Sequence, residues 1–380
     1  MTDWLDWPFF EPRHGELASR LEKWCADHVG DAHPQDVDVA CRNLVENLGR
    51  AGFLELCVAE GERAPDVRSL AIARSTLARA SGLADFAFAM QGLGSGAISL
   101  SGTDAQKAQW LPKVASGEAI AAYALTEPET GSDAANIAMR AERTGDGWGL
   151  TGEKSYISNG TIADVLTVFA RTGSAEDGAR GISAFIVRGD DPGLSVAERI
   201  EVIAPHPLAR LKFEDVRADP LGTEGEGFKV AMQTLNLFRV TVGAAALGFA
   251  RRALDEALDF STTRTLGKGV LADNPVTWDR LAGMKMAVDA SALLIARAAW
   301  QQDMGSGDNR RAAAMAKLHA TDEAQKVIDA AVQMHGGFGV TKGAKVEELY
   351  REIRALRIYE GASEVQRMVI AKDLLKEHGR

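Results

Sequence analysis

The sequence predicts an α+β protein of several domains: an N-terminal α-helical domain, a middle β-barrel or sandwich, and a C-terminal four-helix bundle. Three observations predict it. The 380 residues exceed what one hydrophobic core usually holds. Apolar residues recur at helical spacing up to about Gly117 and again from Gly225 onward. Between these stretches lie short runs of strand-forming residues separated by Gly, Asp and Pro clusters. The expected boundaries are 1–118, 119–224 and 225–380.

In the first segment Leu17, Leu21 and Trp24, then Val39, Leu44 and Leu48, then Leu70, Ala73, Leu77 and Ala80 mark the apolar faces of helices. Gly102 to Pro112 reads as a capped helix that proline stops. Strands are expected at 121–126, 148–152, 165–170, 182–187 and 209–214, with Gly145-Asp146-Gly147 as a hairpin turn. No Gly-x-Gly-x-x-Gly joins a strand to a helix here, which argues against a Rossmann nucleotide site. Phe228, Ala231, Met232, Leu235 and Phe238 begin one long helix to about Thr263, and further helices are expected at 276–304, 309–335, 344–357 and 364–377. Those lengths suit a four-helix bundle.

Charge and composition exclude several classes. Forty-three basic against 53 acidic residues give a formal charge of −10, which argues against nucleic acid or an anionic membrane as partner. The opening Met1-Thr-Asp-Trp-Leu-Asp-Trp is acidic and aromatic, unlike a secretory signal. The gentlest apolar stretch, Val240 to Ala250, is shorter than the roughly 20 residues of a membrane span, so a cytoplasmic protein is expected. Cys25, Cys41 and Cys57 are odd in number and without paired spacing, and are expected to be buried thiols. The seven histidines show no ligand spacing, so no metal is expected.

One acidic residue has an unusual setting. Ser363 and Gln366, followed by Met368, Val369 and Ile370, form a capping-box pattern that starts a helix just after Glu360 and Gly361. A helix N-terminus favours an ionised carboxylate and burial favours the neutral acid, so a glutamate between the two influences can act as a general base. On these residues alone, an exposed glutamate in a helix connection is the commoner reading. Arg239, inside a long apolar helix, is a second signal, because a buried charge needs a partner.

Five segments then resemble one family in order: Tyr123-Ala-Leu125-Thr126-Glu127-Pro128-Glu-Thr-Gly131-Ser132-Asp133, Gly152-Glu-Lys154-Ser-Tyr156-Ile157-Ser158-Asn159-Gly160, Gly222-Thr-Glu-Gly225-Glu-Gly227-Phe228, Gln333-Met-His335-Gly336-Gly337-Phe-Gly339, and Ile358-Tyr359-Glu360-Gly361. They are similar to the signatures of acyl-CoA dehydrogenases, and the resemblance runs through essentially the whole chain. It implies a helical domain, a β-barrel and a helical bundle, with FAD as cofactor and an acyl-CoA thioester as substrate. The glutamate of the Tyr-Glu-Gly segment, here Glu360, would remove the α-proton while the β-hydrogen leaves as hydride to flavin N5, giving a trans-2-enoyl-CoA. Electrons would pass to an electron-transfer flavoprotein, and the chain would form a homo-oligomer, a tetramer or a dimer.

The resemblance also implies site residues. Tyr123, Leu125, Thr126, Gly131 and Ser132, with Tyr156 and Ser158, would meet the cofactor. Arg264, Gln333, Gly336 and Gly337 would meet the flavin of a neighbouring subunit. Ser132, Asn236, Arg239, Tyr359, Glu360 and Gly361 would bind substrate, the Glu360 backbone N–H polarising its carbonyl.

Departures from the family pattern are local. Tyr156 stands where relatives usually carry Trp, Asn236 replaces the aspartate of an Asp-x-x-Arg pattern that ends at Arg239, and Ala362 replaces a common Thr. Arg264-Thr-Leu266-Gly267 is one residue short, and Pro275 takes the place of a Gln. The segment Cys57 to Pro65 is shorter than the family's Gly-rich loop. Phe238 removes the alternative base that some relatives carry just before the arginine. The departures keep three alternatives open: a relative specialised for a cyclic, dicarboxylic or carrier-bound thioester, a flavin monooxygenase or nitroalkane-type oxidase, and a non-catalytic protein on the same fold. Acyl-chain length and branching are encoded by no local motif.

Overall fold

The computed structural model describes all residues except 1–2, 31–33, 62, 146, 306 and 380. Among the described residues, ten α-helices and nine strands follow one another in the expected order of helices, strands and helices. The first helices are α1 (Pro12–His28), α2 (Val37–Arg50), α3 (Val67–Ala80), α4 (Gly82–Ser101) and α5 (Asp104–Ser116). Then come β1 (Ala121–Ala124), β2 (Arg140–Thr144), β3 (Gly147–Ser158), β4 (Val165–Arg171), β5 (Ile182–Arg188), β6 (Leu194–Arg199) and β7 (Leu208–Leu221). The rest is α6 (Gly227–Thr263), the short hairpin β8 (Thr265–Leu266) and β9 (Gly269–Val270), α7 (Pro275–Asp303), α8 (Arg310–His335), α9 (Lys345–Leu356) and α10 (Ser363–Glu377).

Two compact units divide these elements, and neither is continuous in sequence. The helical unit takes Met1–Asp31, Asp66–Asp85 and Arg239–Arg380, and the barrel unit takes Ala32–Pro65 and Phe86–Phe238. The chain crosses between them inside α4 and inside α6.

In the barrel unit β4, β2, β3, β7 and β5 pair in sequence, and β5 pairs back to β4, so the sheet closes on itself. Closure leaves no free edge on those strands. β1 runs parallel to β4, and β6 pairs with β7. All seven residues of β4 are buried. Leu166, Val168 and Ala170 belong to a core with Trp148, Leu150, Phe185 and Phe213. Val165 and Phe169 belong to a second core with Ile98, Trp110, Leu111 and Val230. Burial on both faces explains why β4 reads as an unbroken apolar run.

Several local expectations change. Strands β2 and β6 were not anticipated, because Arg140-Ala-Glu-Arg-Thr and Leu194-Ser-Val-Ala-Glu-Arg are mostly solvent-facing and carry no apolar signal. The Gly145–Gly147 turn does join an antiparallel pair, Thr144 facing Gly147, with Asp146 outside the described residues. Thr103 and Gln106 cap α5 reciprocally as expected, but the helix runs through Pro112 to Ser116 rather than stopping there. It ends at Gly117, whose φ of 77° puts it in the left-handed region. Pro275 is the first residue of α7, where its missing N–H costs nothing, and Asn274 caps the helix by accepting from Val276 N at 2.9 Å. The apolar stretch around Val240 is longer than anticipated. Helix α6 has the length and composition of a membrane span, but 78% of that window is buried inside the protein, as in a core helix.

Candidate active site

Glu360 lies in the bend between α9 and α10, and the backbone there is unusual. Glu360 has a φ of 52° and Gly361 a φ of 92°, so two successive residues are left-handed. Only glycine adopts that region without cost, so the glutamate is held there by its surroundings. A Cβ on Gly361 would stand 2.3 Å from the Gln366 amide nitrogen.

The capping box expected from Ser363 and Gln366 does not form. Ala362 is the N-cap and offers no side-chain acceptor. The Gln366 amide instead donates backwards to the Gly361 carbonyl at 2.9 Å and the Glu360 carbonyl at 3.3 Å. Ser363 Oγ donates to Asp322 at 3.1 Å. Both side chains hold the bend rather than the helix start.

Around the carboxyl group the helical unit gathers charges from several helices. Arg239 on α6 is 8% exposed, Arg74 on α3 is 3% exposed, and Lys317 on α8 has no exposed surface. A Cβ on Gly243, one turn after Arg239, would lie 3.1 Å from the Ala316 carbonyl, so α6 and α8 approach closely beside Lys317. Arg74 grips Asp85 with two hydrogen bonds, at 2.9 and 2.7 Å, and also reaches Thr241 Oγ1 at 3.2 Å. Glu360 keeps partial solvent access, yet its Oε2 is buried with no hydrogen-bond partner among the described residues. Burial pushes its pKa above the usual carboxylate range, Arg74, Lys317 and Arg239 pull it back, and Asp85 adds to the rise.

The sequence drew attention to Glu360 and Arg239, and the structure brings them into one charge cluster. Arg74, Asp85, Lys317 and the Gln366 amide were missed. Lys317 did leave a signal: it interrupts the buried face formed by Ala313, Ala316, Ala320 and Ala324. Tyr359 is 38% exposed beside Glu360. Phe238 is 3% exposed, and its ring fills the space above Gly92 and Gly96, where an added Cβ would come within 2.7 Å of it. That position serves packing.

The remaining candidates divide by unit. In the barrel unit, Thr126 accepts from Ser155 N at 2.9 Å, which sets it beside Tyr156 and Ser158 at the end of β3. Tyr156 has a φ of 55°, sits where the register of β3 shifts, and is 62% exposed. Leu125 has a buried side chain, and its carbonyl accepts from Lys154 Nζ at 3.0 Å. The Tyr123 hydroxyl donates to the Ala231 carbonyl at 3.2 Å. Gly131 and Ser132 are exposed, and Asn236 is half-buried. In the helical unit, Arg264 and Gln333 are exposed, and Gly336 and Gly337, also exposed, end α8. Gly336 has a φ of 60°.

The helical unit also holds a cavity of about 770 Å³ lined by Trp4, Cys25, Arg79, Arg251 and Asp255 among others. Arg79 is bound to Asp255 at 2.7 Å, and burial pushes the Cys25 thiol up to about 12. All three cysteines are buried thiols. Among the described residues no group of three His, Cys, Asp or Glu is placed to hold a metal ion.

Comparison with known proteins gives this arrangement its class. Residues 11–118, 122–216 and 225–375 match the N-terminal, middle and C-terminal domains of acyl-CoA dehydrogenase. The chain is 35% identical to the 3-(aryl)acrylate reductase of Clostridium sporogenes over 97% of this chain and 100% of that one. It is 35% identical to the probable acyl-CoA dehydrogenase FadE25 of Mycobacterium tuberculosis, over 99% and 100%. The solved butyryl-CoA dehydrogenase of Megasphaera elsdenii superposes with a TM-score of 0.87 at 30% identity, covering 96% of this chain and 99% of that one. The fold is that of the acyl-CoA dehydrogenases, which are flavoprotein oxidoreductases. The chain belongs to the acyl-CoA dehydrogenase family, whose cofactor is FAD.

The barrel unit fits that cofactor. A register shift in β3 accompanies the exposed Tyr156 ring, where burial would otherwise be expected of so large a side chain, and the Thr126 backbone is hydrogen-bonded to Ser155 next to it. A flat, exposed ring suits stacking against a planar heterocycle.

Proposed function

We propose that the protein removes the α and β hydrogens of an acyl-CoA thioester to give a trans-2-enoyl-CoA, with Glu360 as the base that takes the α-proton. The observation that carries this reading is the Glu360 carboxyl itself, which has a buried oxygen without a hydrogen-bond partner among the described residues and three cations nearby. The α-C–H of a thioester is a weak acid, so its base must be desolvated and its carbonyl polarised by fixed donors. The left-handed turn frees the Glu360 backbone N–H from the helix ladder, and that group is the proposed donor to the thioester carbonyl. Arg239, with Asn236 one turn before it on α6, is the proposed contact for the thioester's polar chain.

When bound, FAD supplies the acceptor for the electron pair of the leaving β-hydrogen. Thr126, Tyr156 and Ser158 are the proposed residues that hold it, with Tyr123, Leu125, Gly131 and Ser132 on the same segment. Arg264, Gln333, Gly336 and Gly337 are proposed to reach the cofactor of a second copy of the chain, which their exposure supports. Met286, Leu293 and Trp300 support assembly as well: they are exposed at seven-residue spacing on α7. An electron-transfer flavoprotein is the proposed acceptor, and three domains at 1–118, 119–224 and 225–380 are the proposed evolutionary division.

The test is anaerobic addition of thioesters to FAD-loaded protein while its oxidised absorption band is followed. The panel holds straight-chain, dicarboxylic and aryl-substituted acyl-CoAs, the last because the Clostridium relative is named for an arylacrylate. Bleaching by at least one member is expected, and no bleaching by any removes the proposal.

A further inference from the structure

Helix α8 grips the loop that carries Glu360 at two points. Asp322 accepts from Arg357 Nε at 2.8 Å before the loop, and from Ser363 Oγ and Arg367 Nη2 at 3.1 Å after it. Lys317 Nζ donates to the Gly361 carbonyl at 2.8 Å, at the apex. The Gln366 amide already donates to that same oxygen at 2.9 Å. A second neutral donor would complete the hydrogen bonding, and a buried ammonium is an expensive way to supply it. The charge of Lys317 therefore calls for a reason beyond holding a carbonyl.

We propose that Lys317 is a positioning residue for Glu360: its ammonium holds the left-handed Glu360–Gly361 pair from behind and favours the ionised, proton-accepting carboxylate. The inference rests on the reading of Glu360 as the base. The other charged or titratable groups facing the two residues are Arg74 on α3, Asp85 on α4, Arg239 on α6, Asp322 on α8, Arg357 after α9, and Tyr359 in the loop. Arg74 is committed to Asp85, and Asp322 is shared by Arg357 and Arg367. Lys317 is anchored to the backbone of the loop itself. Burial brings its own pKa down to about 8, so it is charged at neutral pH.

The experiment follows the protonated carboxyl stretch by infrared difference spectroscopy against pH in FAD-loaded wild type, Lys317→Met and Lys317→Gln. Glu360→Gln identifies the Glu360 band by its loss. Both Lys317 variants should titrate about one pH unit or more above wild type, since an opposite charge at short range shifts a carboxyl by about that much. The acid limb of the pH profile for bleaching by butyryl-CoA should move with it, while the flavin spectrum of Lys317→Gln stays as in wild type. Lys317→Gln keeps a donor for the carbonyl, so it decides the matter even where Lys317→Met fails to fold. A Glu360 titration in Lys317→Gln within roughly a third of a unit of wild type overturns the inference, as does a carboxylate ionised throughout in both. Wild type that bleaches with no thioester would overturn the proposed reaction and leave the infrared result to decide Lys317.

Discussion

Glu127 in the barrel unit and Glu360 in the helical unit are both carboxyl groups set among packed side chains, and they are held in opposite ways. Glu127 is 6% exposed and accepts from Ala138 N at 2.6 Å, Met139 N at 3.0 Å and Lys154 Nζ at 2.9 Å. Each oxygen has a donor, and the Lys154 ammonium also ties down the Leu125 carbonyl beside Thr126. Glu360 stands near three cations, yet one of its oxygens has no donor. A fully bonded carboxylate fixes the chain that carries it. One with an open lone pair can accept a proton from something brought to it. The difference lies in what the surroundings leave unsatisfied, since the side chains are identical.

The largest effect should come from Glu360→Gln, which leaves the bend intact and removes the acceptor. Solvent exchange of the α-proton of a bound acyl-CoA, followed by NMR, should slow by about 10²- to 10⁴-fold, the usual contribution of a positioned base. A smaller loss would mean that another group takes the proton. On the other side of the comparison, Lys154→Met strands a buried charge on Glu127. It should cost about 3–5 kcal/mol in urea unfolding, with much of that recovered by adding Glu127→Gln. A cost below about 1 kcal/mol would show that the ammonium is dispensable.

A third carboxyl lies between these extremes. Asp303 at the end of α7 is buried, accepts from Val67 N at 2.7 Å and from Arg68 Nε at 2.8 Å, and lies next to Asp66. Burial and the Asp66 charge push it up to about 7, while hydrogen bonds to His14, Ser69, Arg13 and Asp303 outweigh burial to hold Asp66 well below its ordinary value. A raised carboxyl pKa gives stability that is complete below the unfolded value near 3.8 and is lost as pH rises through about 7. Unfolding free energy, read from urea titrations, should therefore decline between about pH 4 and 7, by up to about 1 kcal/mol per unit, and Asp303→Asn should flatten that decline. A wild-type curve already flat over this range would rule out the raised Asp303 titration.

Much of this was legible before the structure. Long helices announce themselves by periodicity, and the double-faced β4 by its apolar run. Glu360 and Arg239 stood out because a turn glycine and an apolar helix made each charge conspicuous. Strands β2 and β6 were hidden because solvent faces most of their side chains. Ser363 and Gln366 misled for a different reason: a capping pattern records which groups are available to bond, and here the loop carbonyls and Asp322 took them. Lys317, 43 residues before Glu360 in the chain, is joined to its loop only by the packing of α8, which no local pattern encodes. The two-unit division is likewise invisible to a linear reading, since each unit is assembled from separated segments.

The long helix α6 carries one more consequence, for biosynthesis. A window of 18 residues within it is apolar enough to pass for a membrane segment, and in the finished protein 78% of that window is buried. Helices α7 and α8, which pack in the same unit, follow it in the chain. On a ribosome moving at about 5–20 residues per second, α6 emerges seconds before these covers exist. During that interval the nascent chain displays a greasy rod that chaperones, membranes or neighbouring chains can seize.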